Sequence, residues 1–202
     1  FIVCHIDLKH PKMKTSNAYN TLFIFLVLFT FSCTSELGQN KLLKPWTGPY
    51  MGTPAFDKMQ VADVKPAMLK AMELNLEEIE AIASNPEAPN FENTIEAMER
   101  SGKVLDRAFA YYGIFSSNMS SPEFRGVQTE LAPLFSEFQS KITQNKQLFQ
   151  RIKSVYEASK TNPLVADQQR VVELTYQGFT MNGADLDDEK KKRYAAINKE
   201  LS

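Results

Sequence analysis

From Phe91 onward, apolar residues recur at alternating steps of four and three: Phe91, Ile95, Met98, then Leu105, Phe109 and Tyr112. Gly102 fills the missing place. This spacing predicts one amphipathic helix, continuous from residue 91 to about residue 116, with a narrow apolar seam roughly six turns long. A glycine on the seam costs about 1 kcal/mol of helix propensity, which predicts close backbone approach by a neighbouring helix. The entry is a loop, Asn85-Pro86-Glu87-Ala88-Pro89. Its prolines fix φ and disfavour helix in the residues before them. Asn90 follows as a natural N-cap, and Glu92 falls in the first turn, where the helix dipole favours negative charge.

The same periodicity predicts helices on either side. One starts at Asp63 as N-cap, carries Pro66 in its first turn, and turns Met68/Leu69, Met72, Leu76, Ile79 and Ile82/Ala83 inward before Ser84-Asn85-Pro86 ends it. After the break Asn118–Pro122, Ser121 caps a helix with Pro122 at its first position and Phe124, Val127, Leu131, Leu134/Phe135, Phe138 and Ile142 on its apolar face. Pro133 inside it is expected to kink it. A further helix starts near Asn145 with Leu148/Phe149, Ile152 and Val155/Tyr156 inward. Another spans about 164–181 with Val171, Leu174 and Phe179 inward, ending at Asn182-Gly183 in a left-handed C-cap. The last segment, from Asp185, puts acids first and bases after, as the helix dipole prefers. No strand-like alternation and no repeat of 34 to 45 residues is visible, so the expected fold is all-α, built of antiparallel helices.

The N-terminal third reads differently. Met13-Lys14 precedes the largely apolar ten-residue run Leu22–Phe31, and Ser32-Cys33 follows. A charged start, a short apolar core and a small residue before a cut site make a secretory signal. Ten apolar residues cover about 15 Å as helix, half of a bilayer core. The expected organisation is therefore an upstream extension at 1–12, a lipoprotein-type signal at 13–33 with Cys33 as the lipid attachment site, a flexible tether at 34–44, and a helical body at 45–202. An ordinary signal-peptide cysteine and a retained anchor helix stay open as readings of this stretch. Trp46, Tyr50 and Phe56 are expected to pin the start of the body to the helices, with a surface aromatic cluster for a ligand as the other reading.

Composition narrows the chemistry. The formal net charge is −1; residues 1–33 hold three lysines against Asp7, which leaves 20 basic and 23 acidic residues beyond them, net −3. Nothing in this balance supports nucleic-acid binding. Both histidines, His5 and His10, and both cysteines, Cys4 and Cys33, lie in the first 33 residues. The body thus has no imidazole base, no thiol nucleophile and no His or Cys metal ligand. Its acid clusters, Glu77-Glu78-x-Glu80 and Asp187-Asp188-Glu189, place consecutive carboxylates on different helix faces, which reads as solvated surface rather than an acid/base pair. The basic run Lys190–Arg193 reads as a solvated face in preference to a site for an anionic ligand.

The string Asn-Pro-x-x-Pro-x-Phe-Glu-Asn-Thr-Ile-x-x-x-Glu-x-Ser-Gly at 85–102 resembles the N-terminal region of the thimet-oligopeptidase-like zinc metallopeptidases, in their peptidyl-dipeptidase and oligopeptidase A branch. Pro49-Tyr50 through Pro54–Lys58, Asp63–Ala67 with Glu77–Ala83, Leu148–Tyr156 and Ala195–Ser202 are similar to further segments in the same order. The resemblance covers about residues 45–202. It implies a larger, mostly helical peptidase whose zinc is held by a His-Glu-x-x-His helix, two histidines one turn apart with a water-activating glutamate between them. No such helix occurs here, so no catalytic or metal residue carries over. Substrate-binding residues stay unassigned. The implied role of this region is one wall of a channel that admits short, unfolded peptides.

The expectation is thus the N-terminal part of an exported, monomeric zinc peptidase of a bacterial periplasm or cell envelope. It is attached to the membrane only by a lipid, is inactive alone, binds no zinc by itself, and exposes apolar surface where its partner half belongs. The alternative from another class is a stand-alone, non-catalytic helical lipoprotein that binds a peptide or protein.

Overall fold

A 23-residue helix, α1 (Val61–Ala83), runs along both halves of the core. The computed structural model describes residues 40–47 and 52–201, all within the unit Leu37–Ser202. After α1 a π-helical stretch (Phe91–Glu96) continues into α2 (Ala97–Arg100). Then come α3 (Lys103–Ser117), α4 (Pro122–Thr143), α5 (Lys146–Thr161), α6 (Ala166–Met181) and α7 (Asp188–Leu201). Among the described residues no strand forms, and backbone bridging is confined to Thr47↔Thr53. The fold is all-α. No described helix is long and apolar enough to cross a membrane.

The core falls into two clusters, and α1 supplies both. Val64, Ala67, Met68, Ala71 and Met72 pack with Leu105, Ala108, Tyr111, Phe115, Phe124 and Leu131. One helical length on, Ile79, Ile82 and Ala83 pack with Ile95, Leu148, Phe149, Ile152, Val155, Val172 and Phe179. The chain therefore doubles back along α1, with the end of α1 beside the start of the next helical run. Each fully buried Tyr111, Phe124 or Ile152 side chain contributes about 1.5–3 kcal/mol of burial.

The expected continuous helix over 91–116 is interrupted. Ser101 is extended (φ −74°, ψ 167°) and Gly102 is left-handed (φ +77°), so α3 starts afresh. The interruption shifts the phase of the buried face. Leu105, Ala108, Tyr111 and Phe115 are buried, while Phe109, on the predicted seam, is 39% exposed and packs edgewise on Tyr112 and against Phe135. Gly102 serves the chain's turn, and it also stands close to α1, where a Cβ would lie 3.2 Å from Asn75 Nδ2.

Other boundaries move for local reasons. Helix α1 begins two residues before Asp63, after Gln60, which places Asp63 inside the first turn, 3.1 Å from Lys41, and Pro66 one turn deeper. Residues 40–44, expected as part of a flexible tether, are ordered: Leu42 and Leu43 are buried in the first cluster. Asn40 accepts from the Leu42 amide and donates to the Asp63 carbonyl, and Arg107 donates to the Leu43 carbonyl. Phe56 meets Tyr111 edge-on, as a pinning aromatic should, and the Ala55 amide donates to the Tyr111 hydroxyl. Tyr50 lies outside the described residues.

The predicted caps at Ser121 and Asn145 form, each accepting from an amide three residues on, and α4 continues through Pro133. Helix α6 closes with the Gly183 amide on the Thr180 carbonyl and the Ala184 amide on the Phe179 carbonyl, the paired bonds of a Schellman end. Its inward residues are Val172 and Phe179; Leu174, expected inward, is 49% exposed. Three apolar residues in the window 171–174 leave the helix phase ambiguous to within one position, and contact with α5 selects Val172.

Candidate functional site

The segment Asn85–Gly102 is the most densely bonded polar region of the body. The Asn90 side chain accepts from the Asn93 amide at 2.7 Å, and the Asn93 side chain accepts from the Asn90 amide at 2.9 Å. This is a capping box with asparagine in the place usually taken by glutamate or glutamine. Asn93 also donates to the Ala88 carbonyl, and Asn85 accepts from the Glu87 amide.

Arg151 of α5 reaches this loop from the far side. Nη1 donates to the carbonyls of Asn85 (2.8 Å) and Glu87 (2.9 Å), and Nη2 donates to Asn93 Oδ1 (2.8 Å). The residue is only 6% exposed, so these carbonyls and the amide oxygen solvate a buried guanidinium. Its planar fork suits three acceptors at fixed angles. In the sequence, Arg151 stood within an otherwise helical pattern with nothing to mark it as buried. The one available signal was its place three residues after Leu148 and four before Val155, which puts it on the inner face.

At the other end of the segment, the Gly102 amide donates to Glu78 Oε2 at 2.6 Å, and Ser101 Oγ donates to the Met98 carbonyl. Buried Asn75 lies 3.4 Å from both Glu78 Oε2 and Ser101 Oγ. A Cβ at position 102 would stand 3.2 Å from Asn75 Nδ2. Glu78, expected as plain solvated surface, thus terminates a helix break. Glu80 accepts from the Asn145 side chain, which ties α1 to the start of α5.

The second acid cluster stays on the surface as expected. Asp187 caps α7 through the Lys190 amide and pairs with the Lys190 ammonium, and these contacts hold its carboxyl below the ordinary aspartate value. Asp188 is likewise held down by Lys146, 2.5 Å away. Neither cluster brings two carboxylates together, and no three His, Cys, Asp or Glu side chains converge among the described residues.

Two clefts open beside these features. One of about 210 Å³ lies between Pro89–Glu92 and the end of α5, lined largely by Phe91, Val155, Ala158 and Leu164. Another of about 330 Å³ sits over Tyr156, Arg170, Glu173 and Tyr176. In the latter, the faces of Tyr156 are taken by Tyr176, stacked at 4.1 Å, and by Lys160, 4.3 Å from the ring centre; Tyr176 stacks in turn on Phe149. The rings pack against one another. Cys33, the expected lipid attachment site, lies outside the described residues.

The profile of the neurolysin/thimet oligopeptidase N-terminal domain matches residues 66–191, from the first turns of α1 into α7. The chain belongs to this family. Dipeptidyl carboxypeptidase of Escherichia coli is 30% identical over 163 residues, covering 81% of this chain and 24% of that protein. Oligopeptidase A of the same organism is 27% identical, covering 81% and 23%. A probable cytosolic oligopeptidase A of Arabidopsis thaliana is 27% identical, covering 73% and 21%. The chain thus spans about a quarter of the length of these curated relatives. Helix α1 from Pro66 onward, the Asn90-capped π turn, the Gly102 break and the α5–α6 pair fall inside the matched region.

Proposed function

We propose that this chain is the N-terminal helical part of a zinc metallopeptidase that hydrolyses short peptides, as a peptidyl-dipeptidase or an oligopeptidase. The observation that carries the reading is the unbroken family match over 66–191 together with relatives named dipeptidyl carboxypeptidase and oligopeptidase A. The role proposed for the body is a rigid wall of the substrate channel, inactive alone. In support, the polar groups of residues 85–102 are engaged in capping, in the Arg151 clamp and in the Gly102 break, and the surface carboxylates of Asp187 and Asp188 are paired with lysines.

The residues described here do not fit a zinc site. The sequence has neither His nor Cys beyond Cys33, and no triad of possible ligands converges among the described residues. We therefore place the metal and its chemistry in polypeptide outside this chain and route no step through these residues. Export, with a lipid on Cys33 as the only membrane attachment, is part of the same proposal. It rests on the charged start, short apolar core and Ser32-Cys33 of residues 13–33.

The test is expression of the complete coding sequence and incubation with short peptides bearing free C-termini. Loss of substrate with release of small fragments, abolished by a chelator and restored by zinc, is the expected result, while the 202-residue chain alone gives none. A complete coding sequence without a His-Glu-x-x-His helix would overturn the peptidase and favour the stand-alone helical binding protein. Radiolabelled lipid incorporated into the exported protein, but not into its Cys33→Ser variant, tests the anchor.

A further inference from the structure

We propose that the outer stripe of α6, formed by Leu174, Gly178 and Met181, is a docking surface for the downstream part of the same polypeptide; this rests on the peptidase reading above. Positions 174, 178 and 181 are spaced four and three apart and share one helix face. The opposite face carries Val172 and Phe179, buried against α5 and the π turn. On the outer face Leu174 is 49% exposed and Met181 73%. Between them a Cβ at Gly178 would meet nothing within 4 Å, so an approaching side chain or backbone can come close to the helix. One exposed leucine on a surface is ordinary; two large apolar side chains flanking a bare glycine on one stripe form a ready-made packing face.

The occupant follows from length and from the path of the chain. The relatives are about four times as long as the matched region, so most of such a protein lies outside this chain. The chain passes from Met181 through the Schellman end and the Asp187 cap directly into α7. That helix starts beside the same end of α6: a Cβ at Gly183 would stand 3.7 Å from Tyr194, and Asp188 is bonded to Lys146 of α5. The first turns of α7 are therefore held at the Met181 end of the stripe, and polypeptide downstream of α7 stays tethered to it at an effective concentration that a second copy arriving by diffusion lacks.

Hydroxyl-radical footprinting of the complete protein and of the 202-residue chain, read by mass spectrometry, tests this. Met119, 52% exposed on the turn after α3, is the internal standard. In the 202-residue chain Met181 should label faster than Met119. In the complete protein it should label several-fold slower, with Leu174 changing in parallel. Equal labelling of Met181 in both proteins overturns the proposal, whether it is fast in both or protected in both by residues 1–39 of the chain itself. Protection that appears only on dimerisation, followed by sedimentation, overturns it in favour of a second copy. As a second readout, Met181→Glu should lower the Tm of the complete protein and leave that of the 202-residue chain unchanged; equal effects on both count against docking. A complete protein that protects Met181 but cleaves no peptide retains the docking surface and loses the peptidase. One that cleaves peptides with Met181 freely labelled loses the docking surface alone.

Discussion

The Gly102 amide donates a 2.6 Å hydrogen bond to Glu78 Oε2 across 24 positions of sequence. That bond joins the last third of α1 to the break between α2 and α3, and it lies where the two core clusters meet along α1. Gly102 holds φ at +77°, and a Cβ there would crowd Asn75. Gly102→Ala is therefore expected to destabilise the body by about 1–2 kcal/mol, the cost of a left-handed alanine. Urea unfolding measures it. Glu78→Gln keeps an acceptor for the amide and should cost less than Glu78→Ala; equal losses would show that the bond to Gly102 contributes nothing.

Arg151 is the second fastening of the same segment. Replacing it removes three bonds and leaves the Asn85 and Glu87 carbonyls without their donor. Arg151→Met is expected to cost about 3 kcal/mol: each bond to a charged group is worth roughly 1.5–3, and the relief of removing a buried charge offsets part of the loss of three. Arg151→Lys should recover little, since an ammonium cannot span three acceptors set for a fork. Amide exchange over residues 85–93 should rise in both variants. A lysine variant as stable as the parent would sink this account of the clamp.

The two asparagines of the capping box are predicted to differ. Asn90→Ala loses one cap and should cost about 1 kcal/mol. Asn93→Ala should cost more, because the Asn93 side chain also holds the Ala88 carbonyl and the Arg151 guanidinium. Thermal unfolding of both single variants, and of Asn93→Ala combined with Arg151→Met, checks the ranking. The double variant should fall short of additivity because the two side chains share a bond.

The start of α7 should respond to acid. The Lys190 amide, and then its ammonium, lower the Asp187 pKa, while Asp187 raises that of Lys190. For a lowered carboxylate, the stabilisation is present above the ordinary aspartate value and is lost as pH falls through the lowered one. For the raised lysine it is present below the ordinary lysine value and is lost as pH rises through the raised one. The pair is thus intact across the neutral range. The NMR shift of the Lys190 amide should titrate with a midpoint below about 3.9, and Asp187→Asn should abolish that titration. A midpoint at or above the ordinary value would contradict the cap.

Much of this architecture was written in local signals. Asn90, Ser121, Asn145 and Gly183 each sit where the chain must satisfy a helix end, and each does so with its own side chain or backbone conformation. Such signals act over three or four residues, which is why they can be read one after another. The apolar stripes likewise identified Met68, Met72, Ile79, Leu131, Leu148, Ile152 and Phe179 as core. The absence of His and Cys beyond Cys33 excluded imidazole and thiolate ligands and thiol chemistry there with no structure at all.

What needed the tertiary structure was each contact between distant positions. The seam through Gly102 was compatible with an unbroken helix; Glu78, 24 residues earlier, supplies the acceptor that allows the break. Arg151 became the centre of the Asn85–Asn93 loop because α5 folds back across it, 58 residues from Asn93. Leu42 and Leu43 are core because a groove between α1 and α3 accepts them, although their flanks look like tether. The choice of Val172 over the expected Val171/Leu174 stripe was settled by the cluster with α5, since helical periodicity alone leaves an apolar run free to rotate by one residue. Local periodicity and capping chemistry thus determined which stretches are helical and where most of them end. Packing partners far away in sequence decided where the run breaks, which charge is buried, and which apolar stripe stays outside.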